Sequence, residues 1–230
     1  MIDKANADWN FKDIAEEFDD HVVKSIPLYT EGHNIICYLS DFFCHHDSVC
    51  YDLGMSTGIL LKKLAEHNQL KPRIRWIGVE QEISMLEKAN NIVEGIHNIE
   101  LVHENIESIN FEKSDMIISY YTIQFIPPKS RQYVITKIFK ALNWGGAFIL
   151  FEKVRGPDAR FQDITTSMYT DFKLRQGFDE KEVITKSRSL KGILEPFSTL
   201  GNIDMLKRAG FLDYMTIMKY ICFEGFLAIK

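Results

Sequence analysis

Residues 49–67 place three signals in one order: an apolar run (Val49-Cys50-Tyr51), the loop Asp52-Leu53-Gly54-Met55-Ser56-Thr57-Gly58, and a helical pattern from Ile59 to His67. A strand that turns on glycine straight into a helix is half of a βα unit, and such a unit needs a parallel sheet to receive it. The chain repeats the alternation. Ile74-Arg75-Trp76-Ile77-Gly78-Val79 reads as strand two, Ile83 to Val93 as its helix, Ile99 to His103 as strand three and Met116 to Tyr120 as strand four.

The next helix opens at Pro127-Pro128, where a missing N–H is tolerated. It carries Val134, Ile135, Ile138, Phe139 and Leu142 on one face. Asn143-Trp144-Gly145-Gly146 reads as a turn and Ala147 to Phe151 as strand five. A helix from Ile203 to Ala209, stopped by Gly210, precedes a hairpin of Met215 to Tyr220 and Cys222 to Ile229. Two helices, about residues 11 to 24 and 31 to 43, come before the first strand. Residues 157 to 198 form a polar, helix-leaning insertion best described as a cap. The expectation is an α/β fold with a mostly parallel seven-stranded sheet and helices on both faces. No repeat or linker divides the chain, so residues 1–230 read as a single domain, with N-terminal helices in 1–45.

The formal charge of −5 gives no global positive field for nucleic acid or an anionic membrane, so neither is an expected partner. No run is long and apolar enough to span a bilayer, and residues 1–10 lack the layout of a signal peptide. A cytoplasmic protein is expected. Cys37, Cys44, Cys50 and Cys222 lack the paired spacing of a zinc site. Cys44-His45-His46 has no second cluster to complete it, so no metal is expected.

Glycine turns between strand and helix often serve packing alone, and here the second strand decides. It ends at Glu80, about twenty residues past Gly58, where an acidic side chain can accept both hydroxyl hydrogens of a ribose. The three-glycine pattern that seats a pyrophosphate is absent, which favours a nucleoside without phosphates. After strand three, the Asn105 amide can bond an adenine amine and Ile106 can pack on the ring.

With these loops in register, the sequence resembles class I S-adenosylmethionine-dependent methyltransferases, which have a Rossmann-like fold; the late segment Met205-Leu206-Lys207-Arg208-Ala209-Gly210-Phe211 fits the same pattern. More narrowly, it resembles the carboxy-S-adenosylmethionine synthase family. The matching blocks are Ser25-Ile26-Pro27-Leu28-Tyr29, Tyr51-Asp52-Leu53-Gly54, Thr122-Ile123-Gln124-Phe125, Glu152-Lys153, Asp171-Phe172-Lys173 and Lys186-Ser187-Arg188-Ser189-Leu190. The resemblance implies S-adenosylmethionine, or its carboxylated derivative, as the bound cofactor. It also implies prephenate as carboxyl source, a sulfonium ylide that captures carbon dioxide, and a homodimer in which part of each site comes from the neighbouring subunit. Asp52, Gly54, Ser56, Gly58, Glu80, Gln81, Asn105 and Ile106 are then cofactor-binding residues. Tyr29 would border the cofactor, and Arg188 would hold the new carboxylate.

Three positions depart from the family pattern. Glu80-Gln81 stands where Asp-Asn is usual, Asn105 replaces an aspartate, and Tyr120 replaces an asparagine after strand four, bringing a ring close to the sulfonium. Tyr120 and Arg188 are therefore the residues on which chemistry turns. Arg188 favours a synthase acting on a dianionic substrate, with Lys153, Lys173, Arg175 and Lys186 as further cations. Tyr120 favours methyl transfer to a small-molecule acceptor, which Tyr121, Tyr169 or His103 could orient or deprotonate. A non-catalytic binding or dimerisation module is the third reading; the acidic loop ends argue against it.

Overall fold

The computed structural model describes residues 15–230. The earlier part of the expected first helix lies outside the described residues; the helix that follows, α1, spans Phe18–Ser25, and α2 spans Tyr29–Phe43. Then come β1 (Val49–Leu53), α3 (Ile59–His67), β2 (Arg75–Glu80), α4 (Ile83–Ile92), β3 (Ile99–His103) and β4 (Ser114–Tyr120). After a short 3-10 turn follow α5 (Pro128–Ala141), β5 (Leu142–Lys153), α6 (Ala159–Arg175), α7 (Glu180–Ser189), α8 (Thr199–Ala209), β6 (Asp213–Tyr220) and β7 (Phe223–Ile229).

The strands form a seven-stranded sheet in the order β3-β2-β1-β4-β5-β7-β6. The first five run parallel to one another, and β7 runs antiparallel between β5 and β6. The chain winds outward from β1 to β3, then returns to place β4 on the other side of β1. That reversal opens a crevice beyond the carboxyl ends of β1 and β4, the usual place for a ligand in an open parallel sheet.

Side chains alternate across the sheet with period two. Met116, Ile118 and Tyr120 of β4 and Ala147, Ile149 and Phe151 of β5 face a core with Ile36, Leu61 and Leu64 of α2 and α3. Ile117, Phe148 and Leu150 face the opposite core, with Val134, Ile135 and Ile138 of α5 and Leu206 of α8. Both faces are therefore covered, as the apolar strand runs require.

One local expectation is corrected. Asn143 to Gly146 is not a free turn but part of β5, because Leu142 pairs with Ser114 and the backbone of Gly145 and Gly146 bonds to Lys230 at both N–H and carbonyl. Asn143 donates its side-chain amide to Asp115 Oδ1 at 2.8 Å, next to the bulge in β4. Leu142 is fully buried as its position in the apolar pattern demands, but from the strand rather than from the helix.

The cap resolves into α6 and α7, each started by an aspartate. Asp158 accepts from the Phe161 N–H, and Asp179 and Glu182 form a reciprocal capping box. None of the α6 residues is buried, so this helix lies on the body rather than in it.

Candidate functional site

The crevice is a cavity of about 1090 Å³, roofed by α1 and the cap helices. Its floor is the glycine loop. Gly54 and Gly58 sit at φ 71° and 80°, and Ser56 takes φ 54° without being glycine. The N–H groups of Gly54 and Met55 both donate to the Val79 carbonyl, at 2.8 and 3.1 Å, which stitches the loop to the end of β2. A Cβ on Gly54 would strike the Thr122 side chain, so glycine here serves both backbone conformation and close approach. Gly58 is not at the cavity wall; its open face packs on Ala89 of α4, where an added Cβ would stand 3.2 Å from that methyl.

Glu80 follows from that stitching. Its longer arm reaches back over the loop, so that Oε2 accepts the Ser56 N–H at 3.0 Å while Oε1 accepts those of Gln81 and Glu82 at 2.9 and 3.0 Å. Burial nevertheless lifts its pKa above the usual carboxylate value, against the pull of these N–H donors. A carboxylate has about four acceptor positions, so one remains for a ligand hydroxyl. Asp52, at the end of β1, is buried with no hydrogen bond from the described residues, and burial together with the nearby Glu80 charge pushes its pKa up to about 7.

Asn105 and Ile106 reach the cavity from the loop after β3, and Gln81 meets them there. The Asn105 amide donates to Gln81 Oε1 at 3.0 Å and accepts the Glu107 N–H at 2.7 Å, leaving the Gln81 amide donors for the cavity side.

Tyr120 stands on the wall among rings: its centroid lies 5.0 Å from Tyr29, 4.8 Å from His33 and 4.7 Å from Tyr121. Its hydroxyl donates to the Tyr29 carbonyl at 2.5 Å. Gly32 makes the room, since a Cβ there would collide with the Tyr120 hydroxyl. The ring is thus built into α2 packing rather than standing free above the loop.

Arg188 reaches the cavity from α7, and its Nε is buried with no hydrogen-bond partner. Lys153, Lys173 and Lys186 also line the cavity, whereas Arg175 does not. Of the other candidates, Tyr121 and Tyr169 line the cavity; His103 is outside it, bonded to the Gln81 carbonyl at 2.9 Å.

Several wall residues escaped the sequence reading. Both His33 ring nitrogens and the Tyr121 hydroxyl are buried without partners, and burial pulls the His33 pKa down to about 3, so the ring is neutral. Asp19 of α1 clasps the glycine loop, accepting from Thr57 Oγ1 at 2.6 Å and pairing with Lys88 at 3.0 Å. Beneath the wall, Arg131 donates to the carbonyls of Gln124, Ile126 and Glu195, and Glu152, lifted to about 8 by burial, accepts the Gln124 N–H. That buried pair fixes the loop after β4.

S-adenosylmethionine fits this set of groups. Glu80 can accept from ribose, and the unpartnered Asp52 carboxylate suits a cation. Sheet order, crevice and loop define an S-adenosylmethionine-dependent transferase of the methyltransferase fold. Residues 50–146 match the methyltransferase domain family. An O-methyltransferase family protein from Burkholderia thailandensis superposes over 94% of this chain and 59% of its own, with a TM-score of 0.66 at 13% identity.

At full length the likeness is narrower. The carboxy-S-adenosyl-L-methionine synthase of Staphylococcus epidermidis is 39% identical over 96% of this chain and 97% of its own length. That of Campylobacter lari is 34% identical over 94% and 92%. The chain belongs to the carboxy-S-adenosyl-L-methionine synthase family.

Proposed function

We propose that this enzyme converts S-adenosylmethionine and prephenate to carboxy-S-adenosylmethionine and phenylpyruvate, with loss of water. The observation that carries the reading is the cavity's polarity. Asp52 and Glu80 stand at the ends of β1 and β2, where a cationic nucleoside would lie, and Lys153 of β5, Lys173 of α6 and Arg188 of α7 bring positive charge to the rest of the lining, where a dianion would lie. A methyl transferase needs no such cluster, because the sulfonium is electrophile enough and the acceptor can be neutral.

In this reading Glu80 holds the ribose, Asp52 faces the cofactor's positive charge, and Gln81, Asn105 and Ile106 border the adenine. The sulfonium supplies an activated neighbouring methyl carbon. Arg188, a fixed charge at neutral pH with an unsatisfied Nε, receives the carboxylate that this carbon gains. Tyr29 and Tyr120 wall off water beside it. Incubation with both substrates, followed by mass spectrometry, tests the proposal: a cofactor heavier by one carboxyl group is expected. A methylated acceptor with no carboxylated cofactor would replace it by the methyltransferase reading.

The same reading takes the enzyme as a cytoplasmic homodimer. Four cysteines without disulfides suit a reducing compartment. On α6, Phe161, Ile164 and Met168 form an exposed apolar row at helical spacing. Sedimentation at micromolar protein giving a single monomeric species would remove the dimer.

A further inference from the structure

Lys173 lies one helical turn after Tyr169 on α6, so the two side chains share a face, and Lys153 approaches the same ring from the end of β5. The Lys153 ammonium stands 4.3 Å from the Tyr169 ring centroid and that of Lys173 stands 5.0 Å from it. The ring is held in place by its hydroxyl, which donates to the Ser25 carbonyl at 2.9 Å, and by edge contact with Phe223 at 5.2 Å. All three side chains line the cavity.

Among the described residues neither lysine forms an ion pair. Two like charges gathered over one ring repel each other, and a partly desolvated site strengthens that repulsion. The consequence is visible in Lys173, whose pKa burial and the Lys153 charge bring down to about 8. Such a pair is a liability for a surface and an asset for an anion site, because one carboxylate relieves both charges at once.

We propose that Lys153 and Lys173, gathered on the Tyr169 ring, form a second anion subsite of the cavity, separate from Arg188, that holds the carboxylate which the second substrate keeps. The inference rests on the synthase reading. Prephenate has two carboxylates: the ring carboxylate leaves as carbon dioxide, its bonding pair aromatises the ring and expels the ring hydroxyl, and that hydroxyl takes up a proton to leave as water. The proton comes from the methyl carbon that captures the carbon dioxide. The other carboxylate stays on phenylpyruvate. Cations on the departing carboxylate would stabilise the ground state and slow its loss, whereas cations on the retained one anchor the substrate without cost to the barrier.

The test uses phenylpyruvate as probe, titrated by calorimetry into the S-adenosylmethionine-loaded enzyme. Lys153→Met and Lys173→Met keep the length and apolar stem of each side chain. Each should weaken phenylpyruvate and raise the prephenate KM at least about tenfold, with S-adenosylmethionine affinity unchanged. Lys173→Arg, which keeps the charge, should stay within about threefold of the parent. Unchanged phenylpyruvate binding in the methionine variants, or no binding by the parent enzyme, would overturn the subsite. Failure of the parent enzyme to make carboxylated cofactor from prephenate would overturn the synthase reading instead, and phenylpyruvate titration reports on the lysines in either case.

Discussion

The two ends of the cavity are built by different means. At the floor, backbone sets the geometry: Val79 pins the glycine loop from β2, and Glu80 is gripped by three N–H groups. At the cap, side chains set it: α6 buries none of its residues, and the cations of Lys153, Lys173 and Arg188 project from a strand end and two outer helices. A floor made by the sheet is preorganised, and its affinity belongs to the fold. A wall made by two helices lying on the surface can change its ligand by changing side chains, with little effect on the floor. Cofactor and second substrate should therefore respond to different substitutions.

The largest effect tests the floor. Glu80→Ala removes the proposed ribose acceptor and strands the N–H groups of Ser56, Gln81 and Glu82. S-adenosylmethionine should bind more weakly by about 3 kcal/mol, roughly a hundredfold, in a calorimetric titration. A loss below about fivefold would mean that the loop backbone holds the cofactor alone.

Next in size, Arg188→Ala tests the independence of the cap. Affinity for the carboxylated cofactor should fall by about 2 kcal/mol, some thirtyfold, with S-adenosylmethionine within about twofold of the parent value. If both ligands lose equally, floor and cap are one structure and the contrast fails.

The floor also has a pH signature. Asp52 in the free protein titrates near 7, raised by burial and the Glu80 charge, and a cationic ligand favours its charged form. Affinity should therefore climb as pH rises toward 7 and level off above it, with a limiting slope of about tenfold per pH unit below. Asp52→Asn should flatten most of that slope, the remainder belonging to the likewise raised Glu80. A parent enzyme whose affinity is constant between about pH 5.5 and 7 would show that Asp52 does not face the positive charge.

The sequence revealed the floor better than the cap, for a physical reason. Gly54, Glu80 and Asn105 sit at strand ends, and in a parallel sheet consecutive strand ends lie side by side, so offsets along the chain become neighbours in space. His33 and Thr122 reach the cavity, and Asp19 reaches the glycine loop, through helix approach and loop closure, which periodicity does not encode. Gly58 was legible as a glycine but not as a packing glycine, because its neighbour Ala89 belongs to another helix. Asn143 to Gly146 carry turn residues, yet pairing with the chain's last residue holds them in β5. Lys153 and Lys173 were legible as charges; that they share one ring is a property of the tertiary fold.

The smallest effect sits where the two ends meet. Gly32 of α2 leaves the room that the Tyr120 hydroxyl fills, so ring and helix pack as one unit of the wall. Tyr120→Phe keeps the ring contacts and removes the bond to the Tyr29 carbonyl. That should cost about 1 kcal/mol of stability, a fall of about 2–4 °C in Tm, with S-adenosylmethionine affinity unchanged. Were affinity to drop more than about fivefold while Tm stayed put, the hydroxyl would act on the ligand rather than on α2, and Tyr120 would belong to the floor's chemistry instead of its wall. Gly32→Ala separates the same cases from the other side: its methyl must displace the Tyr120 ring, so a large loss of stability is expected whichever role the hydroxyl has. Only a wall residue makes the two substitutions differ in stability while agreeing in cofactor affinity per folded molecule.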